Sequence, residues 1–346
     1  MADLKELDDL VKSLSKKFGI ENVSLMGNNL HIIDRWNLKS LNLTDLTCGG
    51  LPKGRMIEIY GPESNGKTTL ATILAADVQS QNGSIAYIDT EHAIDPVYAK
   101  TLGLDITKCI FSQPDSGEMA INLAEDLVKS GKIDLIVIDS VAALTPQAEL
   151  DGEAGDQQMG LQARLMGKAC RKLSALISKS KTTIIWINQI RQKIGVLYGN
   201  PETTPGGLAL KFYSSIRMEV RKSEYIKNKE VTIGFIANVK TVKNKVGIPF
   251  KKREMKVIYG KGLQIEEEFV DFALETGVMQ RKGTWYFYGE ERLGQGKESA
   301  IGTLNDNRDL KEKIEKETRE AISKIDIGNM EPIIEETMPE ELKEDE

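Results

Sequence analysis

The chain has 346 residues, 40% hydrophobic and 28% charged, enough for one large α/β core with small additions, which excludes a mini-protein or a fibre. Its three cysteines (Cys48, Cys109, Cys170) and two histidines (His31, His92) are too few and too scattered for a disulfide framework, a zinc site or a histidine-rich metal centre. The net charge of −6 divides unevenly: Glu331–Glu346 holds eight acids and one lysine, leaving +1 on residues 1–330, and Lys211–Lys256 holds thirteen Lys/Arg against four Glu. Such asymmetry points either to nucleic-acid contact moderated by an internal acidic competitor, or to a solvated basic face with a solubilising tail.

No apolar run reaches the roughly 18 residues of a membrane span, and Met1–Gly19 is charged and amphipathic without a signal-peptide core. A cytoplasmic protein without membrane contact is expected. Leu4, Leu7, Leu10, Val11, Leu14 and Phe18 recur at helical spacing, with Asp3 placed to cap the helix and Gly19 to end it. The apolar stripe needs cover from its own domain or from a neighbouring subunit.

From Arg55 onward short β-rich runs alternate with helices. Met56–Tyr60 leads through a glycine-flanked turn into a helix at Thr68–Gln79, and Ser84–Ile88 ends in the polar Asp89–His92. Leu135–Ile138 is a continuous apolar run ending at Asp139. Gly160–Ser178 reads as helix, and Thr183–Ile187 as a buried strand ending at Asn188–Gln189. Buried strands alternating with helices, each with polar residues at its C-terminal end, predict an open parallel sheet that binds ligands along that edge. Two Gly- and polar-rich segments, Asp151–Met159 and Ile190–Gly207, interrupt the order, and the second is too long for an ordinary connection. The expected divisions are an N-terminal helix and linker (1–32), a core (33–264), a small mixed domain (265–325) with a helix at Asp309–Ile325, and an unstructured acidic tail (326–346).

Gly61-Pro62-Glu63-Ser64-Asn65-Gly66-Lys67-Thr68 fits G-x-x-x-x-G-K-[ST] between a strand and a helix, the context that motif requires. The glycines let backbone N–H groups turn inward around phosphate oxygens at a helix N-terminus. Lys67 can reach the β- and γ-phosphates, and the Thr68 hydroxyl can ligate Mg²⁺. Asp139, ending its strand, is the natural carboxylate for that Mg²⁺, through water. Hydrolysis also needs a group that activates water. Glu91 is the best placed, with Asp89 and Asp95 as local competitors. Gln189 can sense the γ-phosphate and opens the long loop.

Beyond that motif, the stretches GPESNGKTT (61–69), IDTEHAIDPVYA (88–99), LIVIDSVAALTP (135–146), GLQARLM (160–166), INQIRQKIGV (187–196), GNPETTPGG (199–207), ALKFY (209–213) and VKNK (242–245) resemble those of bacterial-type RecA recombinases. The resemblance runs along nearly the whole chain, and a generic phosphate-loop ATPase would share only the first and third. It implies a RecA-type ATPase core with a mostly parallel twisted sheet, an N-terminal polymerisation helix and a small C-terminal α+β domain contacting duplex DNA. Thr69 joins the ATP-binding residues, Tyr98 matches the aromatic that stacks on adenine, and Glu91 matches the water-activating glutamate. Lys243 and Lys245 match lysines that reach the neighbouring subunit's ATP.

The two interruptions, 151–159 and 190–207, match mobile DNA loops. There Arg191 and Lys193 hold phosphates while Met159 and Ile194 wedge between bases without reading them. Arg164, Arg171, Gly206, Gly207, Arg221, Lys222 and Lys240 complete the DNA-binding candidates. Two departures stand out: Asn238 where an arginine is sometimes found, and Gln157-Gln158 in place of a Ser-His pair. The implied function is ATP-dependent pairing and strand exchange by a helical filament on single-stranded DNA, with homologous duplex as second partner. LexA-type repressors and loader proteins are further candidate partners. A ring-forming helicase-like motor on the same core, or a DNA-coating scaffold glued by ATP, are the alternatives.

Overall fold

The computed structural model describes residues 4–18, 23, 33–153, 160–192, 199 and 201–328. The chain divides into two compact units, Met1–Asp34 and Arg35–Glu346. In the first, α1 (Leu4–Phe18) has Glu6 in its first turn and Lys16 and Lys17 in its last, charges that complement the helix dipole. The cap and stop residues Asp3 and Gly19 fall outside the described residues.

The second unit is built on a nine-stranded sheet. In chain order its strands are β1 (Met56–Gly61), β2 (Ile85–Asp89), β3 (Cys109–Ser112), β4 (Leu135–Asp139), β5 (Thr183–Gln189), β6 (Ile216–Asn228), β7 (Val231–Asn244), β8 (Lys252–Ile258) and β9 (Gly262–Leu263). The spatial order is β9-β8-β7-β6-β1-β5-β4-β2-β3. From β6 to β3 all neighbours are parallel, whereas β6, β7, β8 and β9 pair antiparallel. The sheet is therefore mostly parallel, as the alternating pattern implies.

Strand residues alternate between two apolar layers, which explains the unbroken apolar runs. Ile57, Ile59, Val137 and Ile187 pack with Leu70, Leu74 and Val78 of α2 (Lys67–Ser80). Met56, Ile138 and Trp186 pack on the other side with Ala124 of α3 (Gly117–Lys129) and Met166 and Leu173 of α4 (Leu161–Ser180). The expected strands and helices lie within a few residues of their observed bounds. The sequence pattern does not announce β3, whose Ile110 and Phe111 are half exposed at the sheet edge, nor α3, whose N-terminus is capped by the Ser116 hydroxyl accepting from Met119 N–H.

Ile190–Gly207 is pinned at its base, where Arg191–Gln192 pairs antiparallel with Glu202–Thr203. The short helix α5 (Ala209–Tyr213) follows. Beyond the sheet, α6 (Ile265–Glu275), a three-stranded antiparallel sheet at 280–295, α7 (Lys297–Asp306) and α8 (Arg308–Gly328) share a separate core of Phe269, Phe272, Tyr286, Leu293, Leu304 and Ile314. Helix α8 runs to Gly328, past the expected Ile325. Residues 329–346 fall outside the described residues. Among the described residues no helix is long and apolar enough to cross a membrane.

Candidate functional site

Strands β1, β2, β4 and β5 run parallel, so their C-terminal ends collect the polar residues that follow each apolar run. The loop after β1 turns directly into α2. At Gly61 a Cβ would lie 2.1 Å from the Val220 carbonyl oxygen, and at Gly66 (φ +88) it would meet the Phe235 ring at 3.2 Å. Neither position tolerates a side chain without displacement. No side chain caps the α2 N-terminus, which leaves its first N–H groups to an anion.

Lys67 is buried, and its Nζ donates to the Pro62 carbonyl at 2.7 Å. Burial lowers its pKa, against the opposing pull of Asp139, Glu91 and Glu63. The Thr68 hydroxyl donates to Asp139 Oδ2 at 2.7 Å, and the Tyr87 hydroxyl donates to the same oxygen at 3.1 Å. Burial is the main force raising the Asp139 pKa to about 6, with repulsion from Glu91 and Asp89 adding and the two hydroxyl donors opposing. A hydroxyl and a buried carboxylate within hydrogen-bond reach, beside an uncapped helix N-terminus, form a donor set suited to Mg²⁺ bound with phosphates.

Glu91 stands at the same edge. Its Oε1 accepts from Gln189 Nε2 at 2.7 Å and from the Ser140 hydroxyl. Its two competitors are occupied elsewhere. Asp89 is buried and accepts from Ile94 N–H and Gln113 Nε2. Asp95 caps the short helix Pro96–Thr101 through Val97 N–H at 2.8 Å. Tyr98, on that helix, holds its hydroxyl 3.3 Å from Thr69 Oγ1.

These residues line a cleft of about 390 Å³ that runs from Glu63–Thr69 past Glu91, Tyr98, Asp139 and Gln189. Phe235, Val257, Tyr259 and Gly260 add a wall beside the phosphate loop, and the rings of Phe235 and Tyr259 lie 6.0 Å apart. Sequence reasoning missed this wall, because β7 and β8 are distant in sequence and carry no phosphate motif. Asn65 ties the loop to β6: its Oδ1 accepts from Lys222 N–H at 2.7 Å.

Lys243 and Lys245 do not line the cleft. Both turn to α5, where Lys243 Nζ donates to the carbonyls of Lys211 (2.6 Å) and Phe212 (3.0 Å), and Lys245 Nζ to that of Phe212 (3.2 Å). Of the DNA-binding candidates, Arg164, Arg171 and Arg191 are exposed. A Cβ at Gly206 would collide with Val141 and Met166, and one at Gly207 with Ala163. Arg221 is held by Glu219 and Glu202. Lys222 lies over the rings of Tyr225 and Phe235, and Lys240 sits on β7 opposite Glu219. Asn238 pairs with Arg221 in the ladder, and its buried Oδ1 has no hydrogen-bond partner among the described residues. Met159, Lys193, Ile194 and Gln157-Gln158 fall outside the described residues.

A parallel sheet with a phosphate loop entering a helix, a Thr–Asp pair beside it and an acid held by a glutamine at the next strand ends defines a phosphate-loop ATPase. Within that class the comparisons are specific. The RecA N-terminal domain family matches residues 5–264 and the RecA C-terminal domain family residues 267–323. The chain is 50% identical over 329 residues to Protein RecA of Staphylococcus aureus strains JH9, Newman and N315, covering 94% of its own length and 94% of theirs. The chain belongs to the RecA family. It is an ATP-dependent DNA recombinase, a DNA-dependent ATPase that uses ATP with Mg²⁺ and acts in recombination, repair and the SOS response.

Proposed function

We propose that the cleft between the phosphate loop and the β7–β8 wall is where this recombinase binds and hydrolyses ATP. The observation that carries the reading is the convergence of Glu91, Gln189, Thr68 and Asp139 at one sheet edge. Backbone N–H groups of residues 61–66 and the α2 N-terminus take the phosphates, Lys67 anchors the γ-phosphate, and Tyr98 and Tyr259 flank the base. Thr68 and, through water, Asp139 hold Mg²⁺, which neutralises phosphate charge. Glu91 accepts a proton from the attacking water, and Gln189 keeps its carboxylate aimed while linking it to the loop that starts at residue 190.

Segments 151–159 and 190–207 contact single-stranded DNA, and residues 265–325 contact the duplex. In a filament each subunit's Lys243 and Lys245 reach the ATP of its neighbour and stabilise phosphoryl charge there, in the manner of arginine fingers. The N-terminal helix supplies a heterologous contact whose rotation does not close, which yields a helix rather than a ring. The protein works in the cytoplasm, and its filament is a platform for LexA-type repressor cleavage and for loader proteins. The test is paired: DNA-stimulated ATPase and strand exchange measured on wild type and Glu91→Gln. A Glu91→Gln protein that hydrolyses ATP at the wild-type rate overturns the site assignment.

A further inference from the structure

Glu58 is an acid in the middle of the central strand β1, completely buried between Ile57 and Ile59. For stability alone an apolar side chain of similar volume serves such a position as well or better. Its two oxygens are instead divided between two directions. Oε1 accepts from Asn188 Nδ2 at 2.9 Å, and Asn188 Nδ2 also donates to the Pro205 carbonyl at 3.2 Å, inside the 190–207 segment. Oε2 accepts from Arg217 Nε at 2.5 Å. Arg217 stacks on the Tyr60 ring and faces Lys243 across the β6–β7 ladder.

Asn188 and Gln189 are neighbours on β5 and point to opposite faces. Gln189 reaches Glu91, whereas Asn188 reaches Glu58. One dipeptide therefore touches both the candidate base and the buried acid behind the lysine cluster. The charged groups that act most strongly on Lys243 are Lys245 beyond the end of β7, Arg217 on β6 and Glu58 on β1, with the Lys211 and Phe212 carbonyls of α5 as acceptors. Glu58 is the anion among these named groups.

We propose that Glu58 is a positioning residue for ATP hydrolysis, a buried carboxylate that ties the base of the 190–207 segment, through Asn188 and Pro205, to the Arg217–Lys243–Lys245 cluster. The proposal rests on the reading that these lysines act on a neighbouring subunit's ATP. The carboxylate keeps three cations together on one surface, and its tie to Pro205 lets DNA bound at that segment settle their placement.

Burial above all, then repulsion by Lys245 and Arg217, lowers the Lys243 pKa to about 8, and Glu58 acts in the opposite sense. A lysine is charged below its pKa and loses its charge above it, so removing the Glu58 charge brings that loss to lower pH. In Glu58→Gln filaments on single-stranded DNA, kcat at pH 8 is expected to fall several-fold with the KM for ATP unchanged. The alkaline limb of the pH–rate profile should move down by about one unit. An equal loss at every pH, or a KM that rises in step, would overturn the proposal.

If Glu58→Gln does not fold, Asn188→Ala carries the test, because it cuts the tie to Pro205 and leaves the carboxylate in place. DNA stimulation should drop while nucleotide binding and the alkaline limb stay where they were. Wild-type stimulation in Asn188→Ala counts against the link. Lys243→Ala is run alongside, since undiminished DNA-stimulated hydrolysis in that variant refutes the lysine reading itself, separately from any Glu58 result.

Discussion

Gln189 Nε2 donates to Glu91 Oε1 over 2.7 Å, joining the last residue of β5 to the turn after β2. The bond binds the candidate base to the residue that opens the 190–207 segment, so a shift of that segment is felt at the base without an intermediary. Glu91→Gln keeps the shape and removes the proton acceptor. ATP and DNA binding should persist while hydrolysis falls by about 10²-fold or more, and the DNA complex should outlive that of wild type. Filter binding alongside a phosphate-release assay separates the two effects.

The lysine pair invites a mixing experiment. Lys243→Ala should depress DNA-stimulated hydrolysis and leave nucleotide affinity of the isolated subunit nearly intact, because the side chain rests on α5 and outside the cleft. Lys67→Ala, by contrast, should abolish hydrolysis at its own site. Blending the two impaired proteins restores fully active interfaces if the lysine works across subunits. Mixed filaments with no recovery at any ratio would show that it does not.

The β7–β8 wall of the cleft bears on base recognition. Tyr259 is half exposed and leans on the buried Phe235, in the same cleft as Tyr98, which meets the phosphate loop through Thr69. Loss of one stacking aromatic costs about 1–3 kcal/mol. Tyr98→Ala and Tyr259→Ala should each raise the KM for ATP roughly tenfold or more. Inhibition by inorganic triphosphate, which has no base to stack, should stay at the wild-type level.

The parts of this site legible in the sequence are those written locally. Gly61–Thr68, Asp139 and Glu91 each sit at the end of a short apolar run, so pattern and chemistry coincide. The choice among Glu91, Asp89 and Asp95 is only partly local: Ile94 and Val97 claim Asp89 and Asp95 from a few residues away, but Gln113 reaches Asp89 from beyond β3, and Ser140 and Gln189 hold Glu91 from the ends of β4 and β5. Phe235 and Tyr259 were hidden for a different reason. They reach the cleft only through an antiparallel ribbon added beside β1, and a strand pattern does not state its neighbours. Arg221 reads as a free cation in sequence, yet Glu202, nineteen residues earlier, folds back onto it. The buried Glu58 looks like a lone acid in an apolar run until Asn188 and Arg217 arrive from two other strands.

Asp139 offers a stability measurement. Its pKa rises from 3.8 to about 6 in the folded protein, so the ionised form costs stability at neutral pH. The penalty is complete above pH 6 and vanishes as pH falls below the unfolded value. At about 1.4 kcal/mol per unit it amounts to roughly 3 kcal/mol at most. Asp139→Asn should therefore raise the Tm of the nucleotide-free protein at pH 8, with the gain gone near pH 4, while Mg²⁺-dependent ATP binding collapses. A Tm unchanged at both pH values would mean that the carboxylate carries no such burden.

The acidic tail sets the last expectation. Removing Glu331–Glu346 deletes eight acids and one lysine and takes the chain from −6 to +1. In the full-length chain those carboxylates should compete with DNA phosphates for the Lys/Arg of 211–256 and of the C-terminal domain. Truncation should speed and tighten duplex binding, most strongly at low salt. Above roughly 0.15 M salt the Debye length falls below about 8 Å, so a long-range competition fades. Mg²⁺ should mimic truncation in part, since clustered carboxylates bind it. A tail that serves only solubility leaves duplex affinity unchanged. Binding curves for full-length and truncated protein across a salt series distinguish the two, and curves that superimpose at every salt concentration would eliminate the competition.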